Sequence, residues 1–152
     1  MTNDLLGLLV VIPLAAAVVS VALIGHPIHQ RVLGLASQLA MLALALTWLV
    51  RIRAGEVMVS QMGSWRAPFG ITLVFDSLSG LLLCAGLVVA ISCSLHGFSL
   101  VDPQIERRYF HPLVQILLMG VNQSFLTGDL FNLFVAFEIM LMASYGLLSI
   151  GH

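Results

Sequence analysis

Glu138 is a lone carboxylate inside the apolar run from Leu130 to Ile150, roughly 12 Å from its start if the run is helical. An ionised side chain near the centre of a bilayer costs about 2.5 to 3.5 kcal/mol on insertion scales, and residues placed there commonly mark an ion or proton path. Offsets of three, four and seven put Phe131, Phe134, Leu141, Met142 and Tyr145 on the same helical face. No cation is among them. The carboxylate is therefore expected to be buried and either neutral, hydrated or paired with a group on another helix. Desolvation raises a carboxyl pKa and a nearby cation lowers it, so a movable partner would load and unload its proton. That is the chemistry of a relay. The alternative is a protonated Glu138 hydrogen-bonded to a backbone group or hydroxyl, with no part in transfer.

Asp129 lies nine residues earlier, about half a turn away in azimuth. At a helix start its carboxylate complements the helix dipole and caps the first turn, a structural role. Asn132 and Tyr145 are polar side chains on the same run that could support Glu138. Asn122, Gln123 and Ser124 place polar groups near the end of the preceding apolar segment, where they hold water or bond across helices. Ser92, Cys93 and Ser94 read as backbone-satisfying or packing residues. The histidines at 26, 29, 96, 111 and 152 fall at loops and segment ends without a metal-binding spacing. No GxSxG elbow, phosphate loop, GxGxxG or CxxC is present. The expectation is a protein without a cofactor or metal, and not a self-contained enzyme.

These residues must be carried by membrane helices. Of 152 residues, 60% are hydrophobic and 9% charged, and the mean hydropathy is +1.07, a composition that excludes a soluble domain. Six arginines, no lysine and a net charge of −1 offer no basic stripe for nucleic acid. Five segments approach the length of a span: 5–24, 32–50, 78–95, 112–127 and 130–150. The first lacks the flanks of a cleaved signal peptide. The fold class is thus all-α, a polytopic membrane protein of about five transmembrane helices forming a single membrane domain, 1–152. The last two helices should be antiparallel neighbours, because only Thr127-Gly128-Asp129 separates them.

The stretch 51–76 differs. Glu56 to Ser60 and Ile71 to Phe75 are rich in β-formers and separated by Gly63, Pro68 and Gly70, which predicts a small extramembrane β-hairpin between helices two and three. Trp48 and Trp65 are candidates for the membrane interface. With five spans, Arg31, Arg107 and Arg108 lie on one side and Arg51, Arg53 and Arg66 on the other, so arginines alone do not orient the chain. His26, His29 and His111 favour the first side as cytoplasmic, with the N-terminus outside. Cys84 and Cys93 stand about 13 Å apart along one helix, too far to bridge.

The segment from Phe125 to Leu148, FLTGDLFNLFVAFEIMLMASYGLL, resembles the fifth-helix region of the D-type subunits of Mrp-type multisubunit cation/proton antiporters. Gly63 to Ile71 and Phe75 to Gly80 resemble the same family's entry into its third helix. A looser likeness extends to the antiporter-like subunits of complex I and membrane-bound hydrogenases. The resemblance implies that Glu138 is a central proton-path residue working with lysines on later helices, that the N-terminus faces outward in a prokaryotic plasma membrane, and that the exchanged cation is monovalent, sodium foremost. It covers only the N-terminal third of such a subunit. A truncated or split form is then expected, with other membrane subunits and a lysine-bearing segment as partners. A proton-pumping subunit of a redox complex and a non-transporting scaffold are the competing readings.

Overall fold

The computed structural model describes residues 3–52, 56–62 and 70–150. The candidate positions Arg53, Gly63, Trp65, Arg66, Pro68 and His152 lie outside them. A 3-10 turn, Asn3–Gly7, leads into α1, Leu8–Ala22, and α2 spans Pro27–Arg51. Gly25, at φ +90°, makes the turn between them, a conformation open to glycine at little steric cost. Pro27 then opens α2 where a missing N–H costs nothing.

Strands β1, Met58–Gln61, and β2, Thr72–Phe75, pair antiparallel with Met58 opposite Phe75 and Gln61 opposite Thr72. The expected hairpin is present. It sits against the end of the bundle, with Leu73 and Phe75 buried among Leu6, Met41, Trp48 and Leu126. Trp48 is consequently not an exposed interfacial anchor. The residue is 5% exposed, and its indole meets the Phe75 ring edge-on, centroids 5.8 Å apart.

Helix α3, Ser77–Leu100, begins at a reciprocal cap: Ser79 N donates to Asp76 Oδ1 at 2.7 Å, and Asp76 N donates to Ser79 Oγ at 2.8 Å. That N–H bond holds the Asp76 carboxyl below the ordinary carboxylate range. A single turn α4, Pro103–Ile105, capped by Asp102 on Gln104 N, runs into a π-helical turn, Glu106–Phe110, broken at Arg108. Helix α5, His111–Leu126, follows, and α6 spans Leu130–Ile150.

Among the described residues, four stretches are long and apolar enough to cross a membrane: Leu5–Ala22, Pro27–Arg51, Ser77–Leu100 and Leu130–Ile150. The remaining expected span, 112–127, is α5, whose 16 residues rise only about 24 Å. It is the central helix all the same, packed extensively on α1 and α6. The chain is a multi-pass membrane protein.

Candidate functional site

Helix α5 is apolar enough to pack but carries three buried amides, each directed at a different neighbour. Gln115 Oε1 accepts from Ser37 Oγ on α2 at 3.0 Å, Asn122 Nδ2 donates to Leu9 O on α1 at 2.9 Å, and Gln123 Nε2 donates to Asn132 Oδ1 on α6 at 2.5 Å. In a membrane the hydrophobic effect does little to hold helices together, and such bonds together with close packing do more of the work. Asn122 and Gln123 thus join helices.

The turn from α5 to α6 is closed by a network of hydrogen bonds. Asp129 Oδ1 accepts from Asn132 N at 2.6 Å, an N-cap in the expected position. Asn132 is 1% exposed, and its Nδ2 donates to Thr127 Oγ1 at 2.9 Å. Thr127 Oγ1 in turn donates to Asp129 O at 3.0 Å. The hairpin reaches this turn from outside, since Gly128 N donates to Thr72 O at 2.8 Å and Leu73 bridges to Thr127.

Glu138, expected to be buried, is exposed. The reason is the side of α6 that packs: Asn132, Ala136 and Ala143 are buried, and Gly120 of α5 comes so close that an added Cβ would lie 2.7 Å from Met140 Cγ. Glu138 projects from the other side. Around it Phe131, Phe134, Leu141, Met142 and Tyr145 are all exposed, Phe131 to 77% and Tyr145 to 64%. Among the described residues, no salt bridge reaches it.

A second polar cluster, not foreseen from sequence, lies where α2 begins and α5 begins. Arg31 Nε and Nη2 donate to Glu106 Oε1 and Oε2 at 2.5 and 2.6 Å, and His111 Nε2 lies 3.0 Å from Glu106 Oε1. Arg31 also sits 5.0 Å over the Phe98 ring, within cation–π range. Glu106 is 2% exposed. The hydrogen bond from Arg31 holds its carboxyl below the ordinary range against desolvation. On an α-helix, residues five apart point about 140° away from one another; here the backbone leaves helical geometry at Arg108 and Tyr109, and this kink lets Glu106 and His111 meet. No residue pattern in the sequence announces this kink.

Beside this cluster a cavity of about 470 Å³ separates α2, α3 and α5, lined by Gly34, Gln38, Ala90, Cys93 and Phe98 among others. Gln38 Nε2 donates to Ser94 Oγ at 2.9 Å. Ser94 therefore joins α3 to α2. Among the described residues no group of His, Cys, Asp or Glu could hold a metal ion.

No family model matches the sequence. The chain is 37% identical over 149 residues to the D-type subunit of the Na(+)/H(+) antiporter of Alkalihalophilus pseudofirmus, covering 98% of this chain and 30% of that protein. It is 42% identical over 160 residues to the corresponding D-type subunit of a probable K(+)/H(+) antiporter of Rhizobium meliloti, covering 98% and 28%. Among solved structures, the Mrp complex from a Dietzia species matches with a TM-score of 0.89 at 33% identity, over 96% of this chain and 27% of that one. An archaeal membrane-bound sulfane sulfur reductase, a respiratory complex, matches with a TM-score of 0.80 at 26% identity, over 94% and 30%.

Proposed function

Since this chain belongs to the family of D-type antiporter subunits and spans about three tenths of the length of the curated relatives it matches, we propose that it acts in a multisubunit monovalent cation/proton antiporter. In this reading its cation is sodium and Glu138 lies on the proton path. The observation that carries the proposal is the placement of that carboxylate. It stands near the middle of an apolar helix, on the side the chain's own helices leave open.

Such a group needs a partner from another membrane segment, and a lysine there would complete the switch: near, it favours the carboxylate; withdrawn, the proton returns. The N-terminus and the hairpin face the outside of a prokaryotic plasma membrane, and α5 serves as a fifth span. Other membrane subunits surround the assembly.

The test is Glu138→Gln in the assembled complex, with cation-coupled proton movement followed in everted vesicles. Loss of coupled exchange at normal complex abundance is expected. Normal exchange by this variant would sink the proposal.

The likeness to the sulfane sulfur reductase complex favours a second reading, in which the same glutamate serves a redox-driven pump. Purification of the native assembly separates the two. Iron–sulfur proteins among the co-purifying subunits would favour the pump, and small membrane subunits alone the antiporter.

A further inference from the structure

The contacts around the α5–α6 turn serve more than to close it. Asn132 and Glu138 lie on one helix, about 9 Å apart along its axis and some 240° apart around it. Whatever fixes the azimuth of Asn132 also fixes the direction in which Glu138 points. Asn132 is held by three groups that are not on α6 itself: Gln123 from α5, and Thr127 and Asp129 from the turn.

The turn is held in its own right by the hairpin. Thr72 O accepts from Gly128 N, Leu73 bridges to Thr127, and the Thr72 N–H points at Asp129 Oδ2 from 3.4 Å. The fit is close. A Cβ on Gly128 would lie 2.6 Å from Val74 Cγ2 and 3.3 Å from Thr72 O, so only glycine lets the strand approach this far.

We infer that the β1–β2 hairpin is a clamp on the α5–α6 turn, and that Asp129, Asn132 and Gln123 are positioning residues that set the direction of Glu138 for proton transfer. The inference rests on the proposed role of Glu138. Side chains stand about 5 to 6 Å from a helix axis, so a 20° rotation of α6 would carry the carboxylate about 2 Å. Displacements of about 1 Å in reacting groups can cost on the order of a hundredfold in rate. In this scheme Asp129 works through its hydrogen bonds as a cap and exchanges no proton with Glu138.

Four variants in the assembled complex test this: Gly128→Ala, Asn132→Leu, Asp129→Leu and Asp129→Asn. Asparagine caps helices about as well as aspartate but carries no transferable proton. Asp129→Asn is therefore expected to exchange within about twofold of the native protein, while the other three lose about tenfold or more at unchanged complex abundance. Spin labels at Val57 and Leu130, both exposed, should report a longer or broader hairpin-to-α6 distance in Gly128→Ala.

Asp129→Asn as inactive as Asp129→Leu would make Asp129 a proton carrier and overturn the inference. So would an unchanged label distance in Gly128→Ala, or full exchange by Asn132→Leu. Because Asp129→Asn keeps the cap, the question stays decidable if a harsher variant fails to assemble. Glu138→Gln is measured alongside: if it exchanges normally, the role of Glu138 fails first, and the label distance still reports on the clamp.

Discussion

Arg31 grips Glu106 with both arms of its guanidinium, Nε on Oε1 and Nη2 on Oε2, tying the second turn of α2 to the segment that introduces α5. Side-chain exposure is 32% for Arg31 and 3% for Glu106. The carboxylate is thus the member with little access to water. A planar two-pronged donor suits this geometry in a way that lysine would not.

Arg31→Met should leave Glu106 without its cation and with only His111 beside it. Removing one partner of a largely desolvated pair costs about 3 to 5 kcal/mol, and the partial exposure of Arg31 places the expected loss near the lower end. Thermal unfolding of the purified protein measures it. Arg31→Lys should recover only part of the loss.

The same pair gives stability a pH dependence. Arg31 lowers the folded-state pKa of Glu106 below its unfolded value, so the unfolded chain takes up the proton first as the medium acidifies. The contribution is complete above the ordinary carboxylate range and disappears as pH falls through the depressed folded value. Glu106→Gln should be less stable than the native protein at neutral pH, and the gap should narrow on acidification. Unfolding midpoints recorded from neutral pH down to about pH 3 test this; a gap independent of pH contradicts it.

Asp76→Ala removes the cap of α3 and should cost about 1 kcal/mol, whereas Asp76→Asn should cost a few tenths. Asp76 too has its folded pKa lowered, by the Ser79 N–H. Its share of stability therefore also fades in acid. Denaturation of the two variants side by side provides the check.

Gly120→Val should force α5 and α6 apart. The added carbon would meet Met140 Cγ at 2.7 Å, which can swing away, but also Ala136 O at 3.1 Å and Met140 N at 3.2 Å, which are backbone. A loss of about 1 to 3 kcal/mol is expected from such overpacking. A cysteine pair across the two helices that cross-links in the native protein should cross-link more slowly in the variant.

Much of the frame is legible without coordinates, because hydropathy along a chain reports directly on the environment a helix must occupy. The run 130–150 is a helix in the structure, and the β-rich stretches supply a hairpin whose strands, Met58–Gln61 and Thr72–Phe75, fall within a residue or two of the expected bounds. Asp129 is legible as a cap, since capping depends on a residue and its next three neighbours. Trp48 is not where its residue type suggests. Its preference for an interface is a property of indole, while its burial depends on Phe75, twenty-seven positions away, folding back over it.

Glu138 illustrates the division most clearly. Its presence in an apolar helix, the aromatic and apolar company on its face, and the absence of a lysine were all set by the order of residues, since helical periodicity makes them local facts. Which way that face turns was decided only in three dimensions. Small residues on the other side of α6 let α5 approach, the Gln123–Asn132 bond fixed the contact, and Glu138 was left open. The Arg31–Glu106–His111 cluster is of the same kind: Arg31 and Glu106 are 75 positions apart, and a backbone kink at Arg108 and Tyr109 sets the phase between Glu106 and His111. Hydropathy and capping act over a few residues of chain, but the pairing of charges and the facing of helices depend on packing, which brings together what the sequence keeps apart.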